Sequence, residues 1–164
     1  MGDPVRRTGA TIAAMKGVIE EMRSTGPGEK NRIFNEALIA DYRASGGKSA
    51  GELPPDTIVI VTMNGAKTGL KRTVPIGAEV CEGRLFIVAS MAGLPRHPLW
   101  YHNLVADPNV TVEYMGDTFA AKAVELHGAE RARIFAGLNK TYHDLQNTTT
   151  RTFPVIELCR VGQQ

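Results

Sequence analysis

The sequence has little of what marks metal, disulfide or membrane proteins. Only two of its 164 residues are cysteine, Cys81 and Cys159, and neither belongs to a Cys-x-x-Cys pair. A zinc ribbon or thioredoxin-type site is therefore not expected, and we interpret both cysteines as small buried residues in a reduced compartment. No apolar run approaches the roughly 18 residues that cross a bilayer. Because the stretch from Met1 to Arg7 also lacks the apolar core of a secretory signal, the sequence predicts a cytoplasmic protein.

Charge of one sign is also scarce, since 19 basic and 17 acidic side chains leave a net charge of +2. An excess this small argues against a nucleic-acid-binding protein. The excess is concentrated, however. Residues 57–106 contain five basic and two acidic side chains, and no acidic residue lies between Asp56 and Glu79. This distribution indicates one small anionic ligand rather than an extended polyanion.

The common catalytic and nucleotide-binding motifs are absent. The pair Lys67-Thr68 lacks the glycines of a phosphate-binding P-loop, and Ser90 lies in Val-Ala-Ser-Met-Ala rather than in a Gly-x-Ser-x-Gly elbow. His97 and His102 are five residues apart, which would place them on different faces of a helix. We therefore predict no metal site.

Helical periodicity at the N-terminus predicts an amphipathic helix over residues 10–23, which is followed by Gly26-Pro27-Gly28. Its apolar stripe can pack on the core, cover a ligand pocket or touch a membrane surface. A second helix is predicted over 30–45, with Gly46-Gly47 as its stop signal. We assign residues 1–29 to an N-terminal helix and linker, and residues 30–164 to the main domain.

From residue 57 the pattern changes to that of short strands joined by turns. Strands are predicted over residues 57–63, 73–81, 84–90, 109–115, 118–126 and 154–158, with a short helix near 98–105 and a longer one over 129–146. Five or six strands joined mainly by hairpins, with helices at both ends, favour an antiparallel barrel of the α+β class over a doubly wound sheet.

Two segments carry the candidate chemistry. The first is a glycine-containing loop between two predicted strands that holds Lys67, Thr68, Lys71 and Arg72. Glycines let backbone N–H groups approach an anion, and the basic side chains supply charge-assisted hydrogen bonds. The alternative is an ordinary solvated basic hairpin.

The second segment, residues 96–104, contains the only tryptophan, Trp100, beside Tyr101. Pro98 stands at or near the first turn of the predicted helix. Helix N-termini attract anions and aromatic rings stack on planar ligands, although a buried structural tryptophan explains Trp100 equally well.

Together these segments form a pattern that resembles the deazaflavin-dependent nitroreductase family, the F-420-dependent branch of flavin/deazaflavin oxidoreductases found in mycobacteria and relatives. The matching residues are Gly65-Ala-Lys-Thr-Gly-Leu-Lys-Arg72, Pro75, Ala89-Ser90 with Gly93, His97-Pro-Leu-Trp-Tyr-His-Asn-Leu104, Asp107-Pro108, Tyr142 and Arg151-Thr-Phe-Pro154. The resemblance covers about residues 31–160 and implies a split β-barrel fold, like that of FMN-binding proteins, with coenzyme F-420, an 8-hydroxy-5-deazaflavin, as the cofactor.

By this resemblance, Lys67, Thr68 and Arg72 would hold the cofactor's phosphate and glutamate tail. Three further groups of residues would lie beside the cofactor or line its ring and linker. They are Thr73, Val74, Pro75, Ile76 and Gly77; Val88, Ala89, Ser90 and Met91; and Leu99, Trp100, Tyr101, His102 and Asn103. The family also implies Ser90 and Tyr142 as the candidate catalytic residues, which would bind the acceptor oxygen or relay a proton to it.

The implied activity is transfer of a hydride from reduced F-420 to a small electrophilic acceptor, such as a quinone, an activated alkene or a nitro compound. The alternatives are a carrier of apolar ligands such as fatty acids and an FMN-binding relative. Ala66 stands where the family commonly has arginine, and Met91 replaces a basic or polar residue, which predicts a less tightly held tail. At the acceptor pocket, Asn139 and Leu145 replace tyrosines of the nitroimidazole-activating member, so a different pocket is expected. We expect a monomer or a homodimer, with peripheral membrane contact through the first helix as a further expectation.

Overall fold

The structure, a computed structural model, describes residues 11–162. Its helices and strands in chain order are α1 (Ile12–Thr25), α2 (Glu29–Ala44), β1 (Ile58–Asn64), β2 (Lys71–Cys81), β3 (Arg84–Val88), α3 (Leu99–Ala106), β4 (Asn109–Tyr114), β5 (Asp117–Glu125), α4 (Gly128–Ala136), α5 (Lys140–Gln146) and β6 (Val155–Arg160). The residues from Met1 to Arg7 that bear on a secretory signal, and residue 10 at the predicted start of the first helix, lie outside the described part.

The six strands close into one antiparallel barrel in the order β1-β2-β3-β6-β5-β4. Hairpins join β1 to β2, β2 to β3 and β4 to β5, and β6 closes the barrel between β3 and β5. The core is filled by β-branched side chains such as Val59, Val61 and Val112, none of which is exposed. The predicted α+β class with an antiparallel barrel is therefore confirmed.

Helices α1 and α2 pack on the barrel through a second apolar cluster, in which Val18 and Leu38 meet Ile58 and Ile60 of β1. Helix α1 begins at Thr11, whose side-chain oxygen accepts a 3.0 Å hydrogen bond from the Ala14 N–H. Of the three predicted roles for α1, packing on the core is the one seen for its Val18 face. Within residues 11–162 no helix is long and apolar enough to span a membrane.

The predicted end of the second helix at Gly46-Gly47 is confirmed, since both glycines have positive φ angles. The Gly47 N–H donates to the Tyr42 carbonyl at 2.8 Å, and a Cβ at Gly47 would lie 2.2 Å from the Gly116 nitrogen. Only glycine fits here, because the end of α2 packs directly on the backbone of the β4–β5 turn.

The structure corrects several sequence-based boundaries. The helix predicted over 129–146 is two helices, because Gly137 ends α4 and the Asn139 side chain caps α5 by accepting from the Thr141 N–H at 2.9 Å. Strand β2 begins at Lys71 rather than at residue 73, so Lys71 and Arg72 belong to the strand rather than to the loop. The last strand runs to residue 160, and the strand predicted over 84–90 ends at Val88. The two cysteines are unpaired but half-buried, not fully buried.

Candidate active site

The basic loop connects β1 to β2 and is closed by its own backbone. The Gly65 N–H donates to the Leu70 carbonyl and the Gly69 N–H to the Gly65 carbonyl, both at 2.8 Å. A Cβ on Gly65 would lie 3.1 Å from the Thr68 hydroxyl oxygen and 3.6 Å from Nε of Arg72. Both polar groups therefore converge over a bare glycine, where a Cβ would be crowded.

The cations of this loop and of the start of β2 are exposed and uncommitted. Lys67, Lys71 and Arg72 are all solvent-exposed. In the part of the chain that the structure describes, none of them lies within ion-pair distance of a carboxylate. These positive charges are therefore available to bind a ligand, because no internal ion pair neutralises them.

Two hydrogen bonds tie this loop to α3. The Asn103 side-chain oxygen accepts from the Ala66 N–H at 2.9 Å, and the Asn64 amide donates to the Asp107 carboxylate at 2.8 Å. The Asn64 amide, followed by the backbone and side chain of Asn109, holds the pKa of Asp107 below its usual range. Asn103 therefore fixes the position of the basic loop against α3, while its place beside the cofactor stays a prediction.

The predicted β2 residues form one wall of the candidate site. Val74 and Trp100 are half-buried and each packs against the barrel core, in which Ile76 is buried. The hydroxyls of Thr73 and Thr62 of β1 lie 3.0 Å apart. Pro75 pairs with Ile60 in the register of β1 and β2, and Gly77 pairs with Ile58.

Tyr142 of α5 reaches this same wall, because its hydroxyl lies 3.0 Å from where a Cβ on Gly77 would stand. Burial, and secondarily the charge of Glu79, raises the pKa of Tyr142 to about 12. The hydroxyl is therefore protonated at neutral pH and can donate a hydrogen bond.

The segment after β3 has an unusual backbone. Val88 and Ala89 are buried, and Ser90 is half-buried. The next three residues, Met91, Ala92 and Gly93, have φ angles of 44°, 53° and 79°. Such left-handed values are strained for the two non-glycine residues and persist only when surrounding contacts impose them. Within the described residues, Ser90 and Tyr142 share no hydrogen bond.

The contacts that hold the Ser90–Gly93 segment come from Arg151. The sequence pattern included this residue, but it was not predicted as a site residue. Its guanidinium donates to the carbonyls of Ala89 and Ser90 at 2.9 and 2.8 Å and to that of Leu94 at 3.0 Å. Backbone acceptors leave no signal in a sequence, so only the position of Arg151 in the pattern pointed to it.

Helix α3 supplies the aromatic part of the site. Trp100 and Tyr101 are half-buried and pack against the barrel core, whereas Leu99 is 77% exposed and His102 is exposed. Trp100 is therefore partly structural, as the alternative interpretation held, but it is not sealed from the surface. The Tyr101 hydroxyl donates to the Glu125 carboxylate.

These placements define what the structure brings together. The basic loop meets α3 through Asn103, and β2 meets α5 where Gly77 faces Tyr142. The Ser90–Gly93 segment meets α5 where a Cβ on Gly93 would lie 3.4 Å from Cδ2 of Leu145. Within residues 11–162 no cluster of three metal-ligating side chains occurs.

Comparison with known proteins identifies the family of this chain. Residues 35–159 match the F-420H(2)-dependent quinone reductase family. An F-420H(2)-dependent quinone reductase of Mycobacterium tuberculosis is 35% identical over 129 residues, covering 74% of this chain and 86% of that protein. A solved F-420-H2-dependent reductase (FDR-A) is 36% identical, with a TM-score of 0.56 and coverage of 62% and 93% of the two chains. A structure described as a domain-swapped dimer is 33% identical, with a TM-score of 0.58 and coverage of 73% and 93%. The chain therefore belongs to the F-420H(2)-dependent quinone reductase family and is an F-420-dependent reductase.

Proposed function

We propose that this site binds coenzyme F-420 with the phosphate and glutamate tail on Lys67, Thr68 and Arg72, and that the acceptor it reduces is a quinone. The observation that carries the proposal is the exposed, uncommitted cationic loop held against the aromatic helix α3 by the Asn103–Ala66 hydrogen bond. A polyanionic tail needs charge-assisted donors, and a planar ring needs apolar and aromatic walls beside them. The residues present fit both needs.

The proposed ring site lies between β2, the Ser90–Gly93 segment and the start of α3. Val74 and Trp100, both half-buried, supply apolar surface. When bound, reduced F-420 supplies a hydride, and the quinone takes up one further proton to become a hydroquinone. The protein's part is to orient the two molecules.

Ser90 and Tyr142 are the proposed contacts to the acceptor oxygen. Because burial raises the pKa of Tyr142 to about 12, this phenol donates a hydrogen bond to a carbonyl oxygen without losing its proton at neutral pH. Solvent then completes the protonation. The matching family and its relatives are quinone reductases, which supports this acceptor over the alkene and nitro alternatives. Membership in a reductase family does not favour the carrier or FMN alternatives.

Binding of the tail is tested by titrating the protein with F-420 and following quenching of its single tryptophan, Trp100. Lys67→Ala and Arg72→Ala should each weaken binding by about 1–3 kcal/mol, because each removes a charge-assisted hydrogen bond. Lys48→Ala, which removes an exposed lysine outside the site, is the matched control. Unchanged affinity in both site variants would refute this placement of the tail.

The acceptor is tested by mixing the protein and reduced F-420 with a menaquinone analogue, an enone and a nitroimidazole in parallel. Oxidation of the cofactor should be fastest with the quinone. If the enone or the nitro compound is reduced faster, the proposed acceptor is wrong while the reductase class stands.

A further inference from the structure

Arg151 stands where three segments of the proposed site meet. Its guanidinium donates to three carbonyls of the 89–94 segment, and its Nη1 lies 2.8 Å from Nδ1 of His97 just before α3. Its backbone belongs to the chain that leaves α5, the helix of Tyr142. Arg151 thereby links the segment that follows α5, the Ser90–Gly93 segment and the start of α3.

Arg151 is itself held in place. The Gln146 side-chain nitrogen donates to the Arg151 carbonyl at 2.6 Å, and the Gln146 oxygen accepts from the Phe153 N–H at 2.9 Å. The guanidinium carbon also lies 4.8 Å from the centre of the Phe153 ring. No carboxylate within residues 11–162 forms an ion pair with Arg151, and burial lowers its pKa. Its charge is balanced by carbonyl oxygens and by a histidine nitrogen instead.

The contact with His97 fixes the protonation of that histidine. An arginine cannot accept a hydrogen bond, so Nδ1 of His97 must be the acceptor and the ring proton must sit on Nε2. A second proton on His97 would remove the acceptor and place a cation against the guanidinium.

We propose that Arg151 and neutral His97 form a clamp that holds the Ser90–Gly93 turn in its left-handed shape, and that protonation of His97 opens this clamp and weakens cofactor binding. The inference deepens the proposed function and rests on it. Met91 and Ala92 store backbone strain that the Arg151 contacts offset, so losing one contact lets the turn relax. Arg151 and His97 are positioning residues in this account, since neither needs to touch the reacting atoms.

The direction of the pH effect follows from the groups that face His97. These are Arg151 from the segment before β6, Tyr101 and His102 from α3, with ring centres at 4.7 and 6.1 Å, and Glu125 from β5. Burial first, and then the charges of Arg151 and His102, lower the pKa of His97, against a smaller opposite effect of Glu125. The clamp is therefore closed at neutral pH and opens only below the usual histidine value of about 6.5.

The test combines a spectrum with a binding profile. In ¹⁵N NMR of the cofactor-free protein, the His97 ring should show an unprotonated Nδ1 at neutral pH and a midpoint below about 6.5. Its signal is assigned by its loss in His97→Asn. The F-420 dissociation constant is then measured from about pH 8 to pH 5 for the wild type, His97→Asn, Arg151→Lys and the control His127→Asn, which changes an exposed histidine outside the site.

His97→Asn keeps an acceptor two bonds from Cβ, as Nδ1 is, but cannot titrate in this range. We expect wild-type affinity to fall about tenfold on the acid side of the His97 midpoint, as expected for loss of one charge-assisted hydrogen bond. The F-420 affinity of His97→Asn should fall much less than that of the wild type over the same pH range, whereas the affinity of His127→Asn should fall as in the wild type. Arg151→Lys keeps the positive charge but loses the planar set of guanidinium N–H donors. It should therefore bind F-420 about tenfold more weakly already at neutral pH.

The same acid fall in His97→Asn, or a protonated Nδ1 in the NMR spectrum, would overturn the clamp. A wild-type protein that binds no F-420 at any pH would instead overturn the proposed function, and the NMR titration would then decide the clamp by itself.

Discussion

The hydroxyl of Tyr142 illustrates how much one polar atom can contribute at an apolar wall. It is largely buried, faces the bare Gly77 and has a pKa raised to about 12. Tyr142→Phe should therefore raise KM for the quinone about two- to tenfold, which corresponds to one neutral hydrogen bond, with a smaller effect on F-420 affinity. Steady-state kinetics from pH 6 to 9 tests this. Because the wild-type phenol does not ionise in this range, the variant's pH profile should parallel the wild type's, and a lost ionisation would contradict the hydrogen-bond role.

Gly77 offers a second prediction at the same contact. A Cβ there would stand 3.0 Å from the Tyr142 hydroxyl, which is closer than ordinary packing allows. Gly77→Ala should therefore lower the free energy of unfolding by about 1–2 kcal/mol, as overpacking does. Adding Tyr142→Phe removes the clashing oxygen and should restore most of the loss. Urea unfolding of both single variants and the double variant measures this coupling, and strictly additive effects would show that the two residues do not meet.

At the residue scale, the sequence was enough to identify side chains that are distinctive by their own charge or rarity. Lys67, Arg72 and Trp100 stood out by charge or rarity, and the structure places them in the basic loop, at the start of β2 and in α3 respectively. Arg151 did not stand out, because its partners are backbone carbonyls that any residue provides. The roles of the individual site residues stay proposals. The family, its cofactor F-420 and the reductase class, which the resemblance implied, are confirmed.

At the element scale, the predictions failed where tertiary contacts override local periodicity. The apolar stripe that runs through Ile134, Leu138 and Tyr142 suggested one helix, yet the chain breaks at Gly137. The break is stabilised by the Glu79 carboxylate, which accepts from the Asn139 N–H at 2.7 Å and draws this point towards β2. Strand β2 starts early because Asn64 pairs with Lys71 in the register, a match that no local pattern encodes.

The connection between β1 and α3 makes a prediction at this scale. Asn64→Ala removes the donor to Asp107, so the pKa of Asp107 should rise towards its usual value. A carboxyl whose pKa is lowered by folding stabilises the protein above the unfolded-state pKa and loses that effect as pH falls through the folded-state pKa. The variant should therefore unfold at lower urea than the wild type at pH 7, and the gap should narrow below about pH 4. A gap that stays constant with pH would contradict this role of Asp107.

At the scale of the whole molecule, the hairpins could be predicted from local sequence, but the strand pairings that close the barrel could not. Turn signals marked the connections β2–β3 and β4–β5, but the pairings β3–β6 and β1–β4 join residues far apart in the chain. The split-barrel expectation came from the family resemblance, and the barrel is confirmed. The division at residues 29 and 30, the cytoplasmic location, the oligomeric state and membrane contact stay predictions.

The charge distribution gives the last prediction, because it is a property of the whole chain. The whole chain has a net charge of +2, whereas residues 57–106 alone have a net charge of +3. Lys67, Lys71 and Arg72 in this stretch are exposed and lack ion-pair partners among residues 11–162. Exposed charges are screened by salt, so F-420 affinity should fall as NaCl rises from about 0.05 to 0.5 M. A variant with Lys67→Ala, Lys71→Ala and Arg72→Ala combined should bind weakly with a much shallower salt dependence, whereas Lys48→Ala should keep the wild-type slope. Equal slopes in all three proteins would mean that the tail lies away from these three cations, since charges beyond about a Debye length contribute little to the salt dependence.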